Sequence, residues 1–189
     1  PLYFKWTGAS PLVLDNRQFI LSGVTAATNI GPQIESANSN AANTVTINTD
    51  LLVTGTAAGK ALTLTGANAG DHTFAGDISN GSSAGFGIIK AGTGKWILSG
   101  NNTYTGNTTV SAGKLFLADG GSQTFVIGAS GTSNKITGAG TLSLEGAFNF
   151  DLTNAGTTLG DSWTIVDVGT LIETYQSTFS VTGFTDAGS

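Results

Sequence analysis

One imidazole and a scatter of carboxylates are the groups in this chain from which acid–base or metal chemistry could be built. His72, in Asp71-His72-Thr73-Phe74, is the single histidine. As a catalytic base it would need a nucleophile or a second titratable group close by, and none stands near it in sequence. It reads as a surface or turn residue. A site of two or three imidazoles is excluded. With no Cys there is also no thiolate ligand, no Cys nucleophile and no disulfide framework. The acids Asp50, Asp71, Asp77, Asp119, Asp151, Asp161 and Asp167 are spread singly. Polysaccharide cleavage needs paired carboxylates on one face, often with Arg or Ca²⁺ beside them. The only Arg, Arg17, has Asp15 alone as an acidic neighbour, and Asp161 and Asp167, six apart, need not share a face.

Gly59-Lys60 and Gly94-Lys95 fail as phosphate loops, because Ala61 and Trp96 follow them where Ser or Thr is required. Both read as strand-edge lysines. These residue types therefore predict no catalytic residue, no cofactor and no metal. Aromatic rings remain: Trp6, Trp96, Trp163, Tyr104 and Tyr175 either pack in alternating strands or stack on sugars. For glycan contact, Tyr104 is the ring expected to be exposed.

The elements that must position these residues follow from composition. Gly, Thr, Ser and Asn make up 88 of 189 residues, while charged residues are only 10%. Thr and Gly are poor in helix interiors and Thr favours strands, so a helical bundle or doubly wound α/β fold is excluded. The net charge of −5 and singly scattered Lys and Arg exclude a phosphate-tracking surface, so no nucleic acid is expected. No 18-residue apolar run exists to span a membrane. The chain opens at Pro1 with no Met and no signal peptide, and reads as a mature or excised fragment.

Short apolar/polar alternations recur between Gly, Asn and Ser turns, as in Thr44-Val45-Thr46-Ile47 and Leu62-Thr63-Leu64. A dozen or more short strands are expected. A cassette of two apolar positions closed by Gly recurs at Phe19–Gly23, Leu62–Gly66, Trp96–Gly100 and Leu142–Gly146, with a looser copy at Leu115–Leu117. Its second apolar residue falls at 21, 64, 98, 117 and 144. These gaps read as one or two coils of a stack of roughly eight, about 4.8 Å apart. Leu64, Leu98 and Leu144 are then expected at equivalent inward positions. A β-sandwich, whose strands also alternate with turns, remains the other reading of this pattern.

The run Lys90-Ala91-Gly92-Thr93-Gly94-Lys95-Trp96-Ile97-Leu98-Ser99-Gly100-Asn101-Asn102-Thr103-Tyr104-Thr105-Gly106-Asn107-Thr108-Thr109-Val110-Ser111-Ala112-Gly113-Lys114-Leu115 resembles the autotransporter-associated β-strand repeat. The departure is Trp96, where Leu is usual. Trp96, Leu98, Val110 and Leu115 would point inward. Gly100, Gly106 and Gly113 would turn corners that a Cβ obstructs, and Asn102 could cap a turn or join an Asn ladder. Tyr104 fills the repeat's Tyr position. A second likeness, over Ala147 to Phe184, is to the segment that follows such repeats in large extracellular proteins of planctomycete- and verrucomicrobium-like bacteria. The resemblance implies an all-β, right-handed parallel β-solenoid in a secreted or surface-displayed bacterial protein.

Residues 1–146 are accordingly read as solenoid with an N-terminal strand, the repeat lying at 90–119. Residues 147–189 are read as a β-rich cap or a continuation. The expected function is a non-enzymatic structural or adhesive module, with a carbohydrate-binding or carbohydrate-cleaving module as the alternative. The expected partners are a second copy, joined end to end, or neighbouring repeats of a parent protein. Leu2, Tyr3, Phe4 and Trp6 form an apolar β-forming segment suited to donating a strand to that neighbour.

Overall fold

The computed structural model describes residues 3–22, 31–55, 59–175 and 178–184. Within them the chain winds through seven stacked coils of short strands. The first coil holds β1 (Tyr3–Trp6), β2 (Leu12–Leu14) and β3 (Phe19–Leu21); the second holds β4 (Gln33–Ser36), β5 (Val45–Ile47) and β6 (Leu51–Val53). The third holds β7 (Ala61–Gly66), β8 (Asp71–Phe74) and a single bridge at Ile78. The fourth holds β9 (Gly87–Lys90), β10 (Lys95–Leu98) and β11 (Asn101–Asn102). The fifth holds β12 (Thr108–Val110), β13 (Lys114–Leu117) and β14 (Ser122–Val126). In the sixth, β15 (Ile136–Leu144) is followed by β16 (Ala147–Asp151); in the seventh, β17 (Val166–Glu173) by β18 (Val181–Thr182).

Each strand pairs in parallel with its equivalents one coil away, which makes three faces. The first is β1-β4-β7-β9-β12-β15 and the second β2-β5-β8-β10-β13-β15; the third comprises β3-β6 and β11-β14-β16-β18. β15 and β17 run through the first two faces, with a register shift between Gly138 and Thr141 where the other coils turn a corner. This is a parallel β-solenoid, and no helix occurs among the described residues. At about 4.8 Å per coil, seven coils give a rod about 34 Å long.

Alternation drives the core. Residues two apart share a face, so each short strand sends one or two apolar side chains inward. In the second face, Ile47, Phe74, Leu98, Leu117 and Leu144 form one in-register file, all buried. Such like-on-like stacking fills the interior at crystal-like density with very few residue types. Leu64 is buried as expected but lies in a different file, on the first face between Ile34 and Lys90. Leu21 lies on the third face, paired with Val53. The recurring cassette therefore marks strands of all three faces, so its spacing does not count coils. The residues after 146 continue the ladder, since β17 and β18 pair in parallel with β15 and β16. Gly23, the end of the first cassette, lies outside the described residues.

Candidate functional site

The groups with chemical potential are gathered around coils three to five. β9 sends Ile88 and Lys90 inward. Lys90 is fully buried in the first-face file between Leu64 and Val110. Its Nζ reaches the corner between the first two faces and donates to the carbonyls of Ala91 (2.6 Å), Gly92 (2.9 Å) and Ala112 (3.1 Å). No carboxylate pairs with it among the described residues, and burial pushes the amine down to about 8. The corner is crowded with carbonyls. Gly113 turns it at φ +65°, where a Cβ would lie 2.5 Å from the carbonyl oxygens of Gly92 and Gly94 and 2.8 Å from Lys90 Nζ.

His72 is buried too, which corrects the expectation of a surface or turn residue. The strand Asp71–Phe74 alternates, so His72 and Phe74 both enter the core. Its Nδ1 accepts the amide N–H of Val45, one coil back, at 3.0 Å, and its ring lies 5.4 Å from that of Trp96. Accepting at Nδ1 puts the proton of the neutral ring on Nε2, which is buried without a hydrogen-bond partner among the described residues. Burial holds the imidazolium below its ordinary range, against the opposing pull of Asn68 and Asp71. On the outer side, Asp71 pairs with Lys95 at 3.0 Å, and that ammonium also lies over the Phe116 ring.

The other repeat residues are structural in their contacts. Trp96, Leu98, Val110 and Leu115 are buried, and the Trp96 indole N–H donates to Thr65 O on the coil before. Gly100 and Gly106 sit where coils touch. A Cβ on Gly100 would stand 2.3 Å from Gly76 O, and one on Gly106 2.5 Å from Phe86 O. Asn102 is fully buried, its amide donating to Gly100 O and Ser122 O. Tyr104 is only 1% exposed, so it is not the open ring expected for sugar stacking. The chain after β11 folds the phenol inward, where it meets Thr108 Oγ1 at 2.5 Å, and burial pushes its pKa well up. Trp6 and Trp163 are half-buried with their indole N–H groups on Ser10 O and Ala129 O, while Tyr175 is exposed and bonded to Glu173.

The carboxylates are not convergent. Asp50 accepts the N–H of Asp77, and Asp77 accepts that of Asn101, each one coil on, at 2.8 and 2.7 Å. Asp161 closes its own loop onto the Thr158 amide. Among the described residues no three His, Cys, Asp or Glu side chains are placed to hold a metal ion. No helix there is long and apolar enough to cross a membrane. At the N-terminal end, Tyr3 is exposed and Phe4 and Trp6 half-buried on β1, which pairs with β4 alone; Leu2 lies outside the described residues.

Lys90 was absent from the residues singled out by sequence, as was Gln123, buried beside Asn102. The signal for Lys90 is positional: it opens the repeat and stands two residues from Ile88, so a strand through both points them to the same side.

Comparison with known proteins agrees with this geometry. Residues 88–115 match the family model of the passenger-associated-transport-repeat, a stretch that runs from β9 into β13. The chain is 39% identical over 62 residues to the adhesin BmaC autotransporter of Brucella suis biovar 1 (strain 1330), covering 33% of this chain and 2% of that protein. The chain thus spans a small fraction of that relative's length. No solved structure matches it. The chain is a parallel β-solenoid in which residues 88–115 match the passenger-associated-transport-repeat.

Proposed function

We propose that this chain is a non-enzymatic structural and adhesive segment of an extracellular, autotransporter-type bacterial protein. The observation that carries the reading is how its polar groups are used. Lys90, Trp96, Asp50, Asp77, Asn102 and His72 all spend hydrogen bonds on backbone groups, mostly of a neighbouring coil, and not on an open cleft. The similarity to an adhesin supports display outside the cell. To test it, an epitope is inserted in the exposed turn at 40–42 of the full-length protein. Labelling of intact cells, removed by external protease, is the expected result. Labelling only after permeabilisation would overturn the placement.

End-to-end association is the finer part of the proposal. Among the described residues β1, β2 and β3 are paired on one side only, as are β17 and β18 at the other end. The first coil carries Lys5, paired with Glu35 of the second, together with Asp15 and Arg17, and the last carries Asp161, Asp167 and Glu173. The proposed head-to-tail contact therefore rests on the unpaired strand edges rather than on charge. Sedimentation of the chain with and without residues 1–6 tests this. Concentration-dependent assemblies lost on truncation are expected, and a strictly monomeric full chain refutes it.

A further inference from the structure

Asn102 and Gln123 are register partners on adjacent coils of the third face, and both are buried, at 0% and 2% exposure. A continuous amide ladder would bond the NH₂ of one to the oxygen of the next. Here that bond is diverted. The Asn102 amide donates to Gly100 O (3.0 Å) and Ser122 O (3.1 Å), and the Gln123 amide to Thr124 O (3.0 Å). These acceptors fix which end of each amide is nitrogen, leaving Asn102 Oδ1 and Gln123 Oε1 buried with no donor among the described residues. The pair is closed off along the stack by apolar residues. Phe148 follows Gln123 in register, and Ile78, whose carbonyl accepts the Thr103 N–H, precedes Asn102.

We propose that Asn102 Oδ1 and Gln123 Oε1 together bind one internal water molecule that bridges the fourth and fifth coils. Two unmet acceptors call for a guest with two hydrogens. A water donating at about 2.8 Å to each spans acceptors about 4.5 Å apart, and the two side chains leave register partners on adjacent strands. Internal waters are held by two to four such polar groups. A monovalent cation fits poorly, since two neutral oxygens cannot replace the hydration shell of a buried charge. The water supplies cross-coil bonding at a short contact, since β11 has only two residues paired to β14.

The test is solution NMR on the intact chain. Wild type is expected to show water cross-peaks, of the sign given by long-lived bound water, to the side-chain amides of both Asn102 and Gln123. In Gln123→Leu the Asn102 cross-peak is expected to vanish while the amide spectrum of other coils is retained. Should that variant not fold, the wild-type cross-peaks decide alone. Their absence overturns the proposal. So does a melting temperature for wild type that differs between KCl, NaCl and N-methylglucamine chloride at equal ionic strength, which would assign the guest as a cation.

Discussion

Lys90 makes the stability of this solenoid rise with pH through a range where most proteins are flat. The amine titrates near 8 in the folded chain against 10.5 when exposed, because burial disfavours its charged form. Between those values the unfolded chain holds a proton that the folded chain has released, so raising the pH favours folding. At about 1.4 kcal/mol per unit of separation, the titration amounts to about 2 kcal/mol between pH 7.5 and 9.5. Urea unfolding of wild type and Lys90→Met at those two pH values reads this directly. The difference between them removes the contribution of the exposed lysines. Wild type should gain about 2 kcal/mol over the variant across the window. The variant's stability at neutral pH is a separate quantity, since it removes a buried charge but also strips three carbonyls of their donor. Parallel pH slopes for the two proteins would refute the reasoning. If the variant does not fold, a titration of the Lys90 side chain by NMR midway near 10.5 would do the same.

His72 acts at the other end of the pH scale. Its folded pKa lies below 6.5, so the unfolded chain takes up the proton first and stability falls as pH drops below 6.5; His72→Gln, measured by the same unfolding, should flatten that limb. Leu98→Ala should cost about 2–5 kcal/mol, and Leu98→Asp more, because the side chain sits mid-file between Phe74 and Leu117; unchanged melting would mean the file is wrong. Gly100→Ala should destabilise by about 1–3 kcal/mol, since its Cβ would be driven against the Gly76 carbonyl, as thermal melting will show.

The strands were legible because alternation is a local property, and segments such as Val45–Ile47 and Leu62–Leu64 carry it unbroken. Which face a strand joins was not, because Leu21, Leu64 and Leu98 have the same local pattern on three different faces. Chemistry misled where it outvoted pattern. His72 and Lys90 stand two from Phe74 and Ile88 and follow them inward, the first bonding an amide and the second a carbonyl corner that only the coiled chain creates. Tyr104 is buried through its bond to Thr108, four residues on, in an irregular segment with no period to read. The Asn102–Gln123 pair joins residues 21 apart through coil register, so neither residue announces it alone.

Register between coils is the central claim, and cysteine cross-linking tests it most directly because the chain contains no Cys of its own. Thr73 and Ile97 are parallel partners with outward side chains, whereas Thr46 pairs with Thr73 and so stands two coils from Ile97. Partners about 4.8 Å apart are within disulfide reach, and residues about 9.6 Å apart are not. Thr73→Cys with Ile97→Cys should oxidise to an intramolecular disulfide with the fold retained, and Thr46→Cys with Ile97→Cys should stay reduced. Efficient cross-linking of the second pair, or none of the first in a folded chain, would contradict the stacked parallel solenoid.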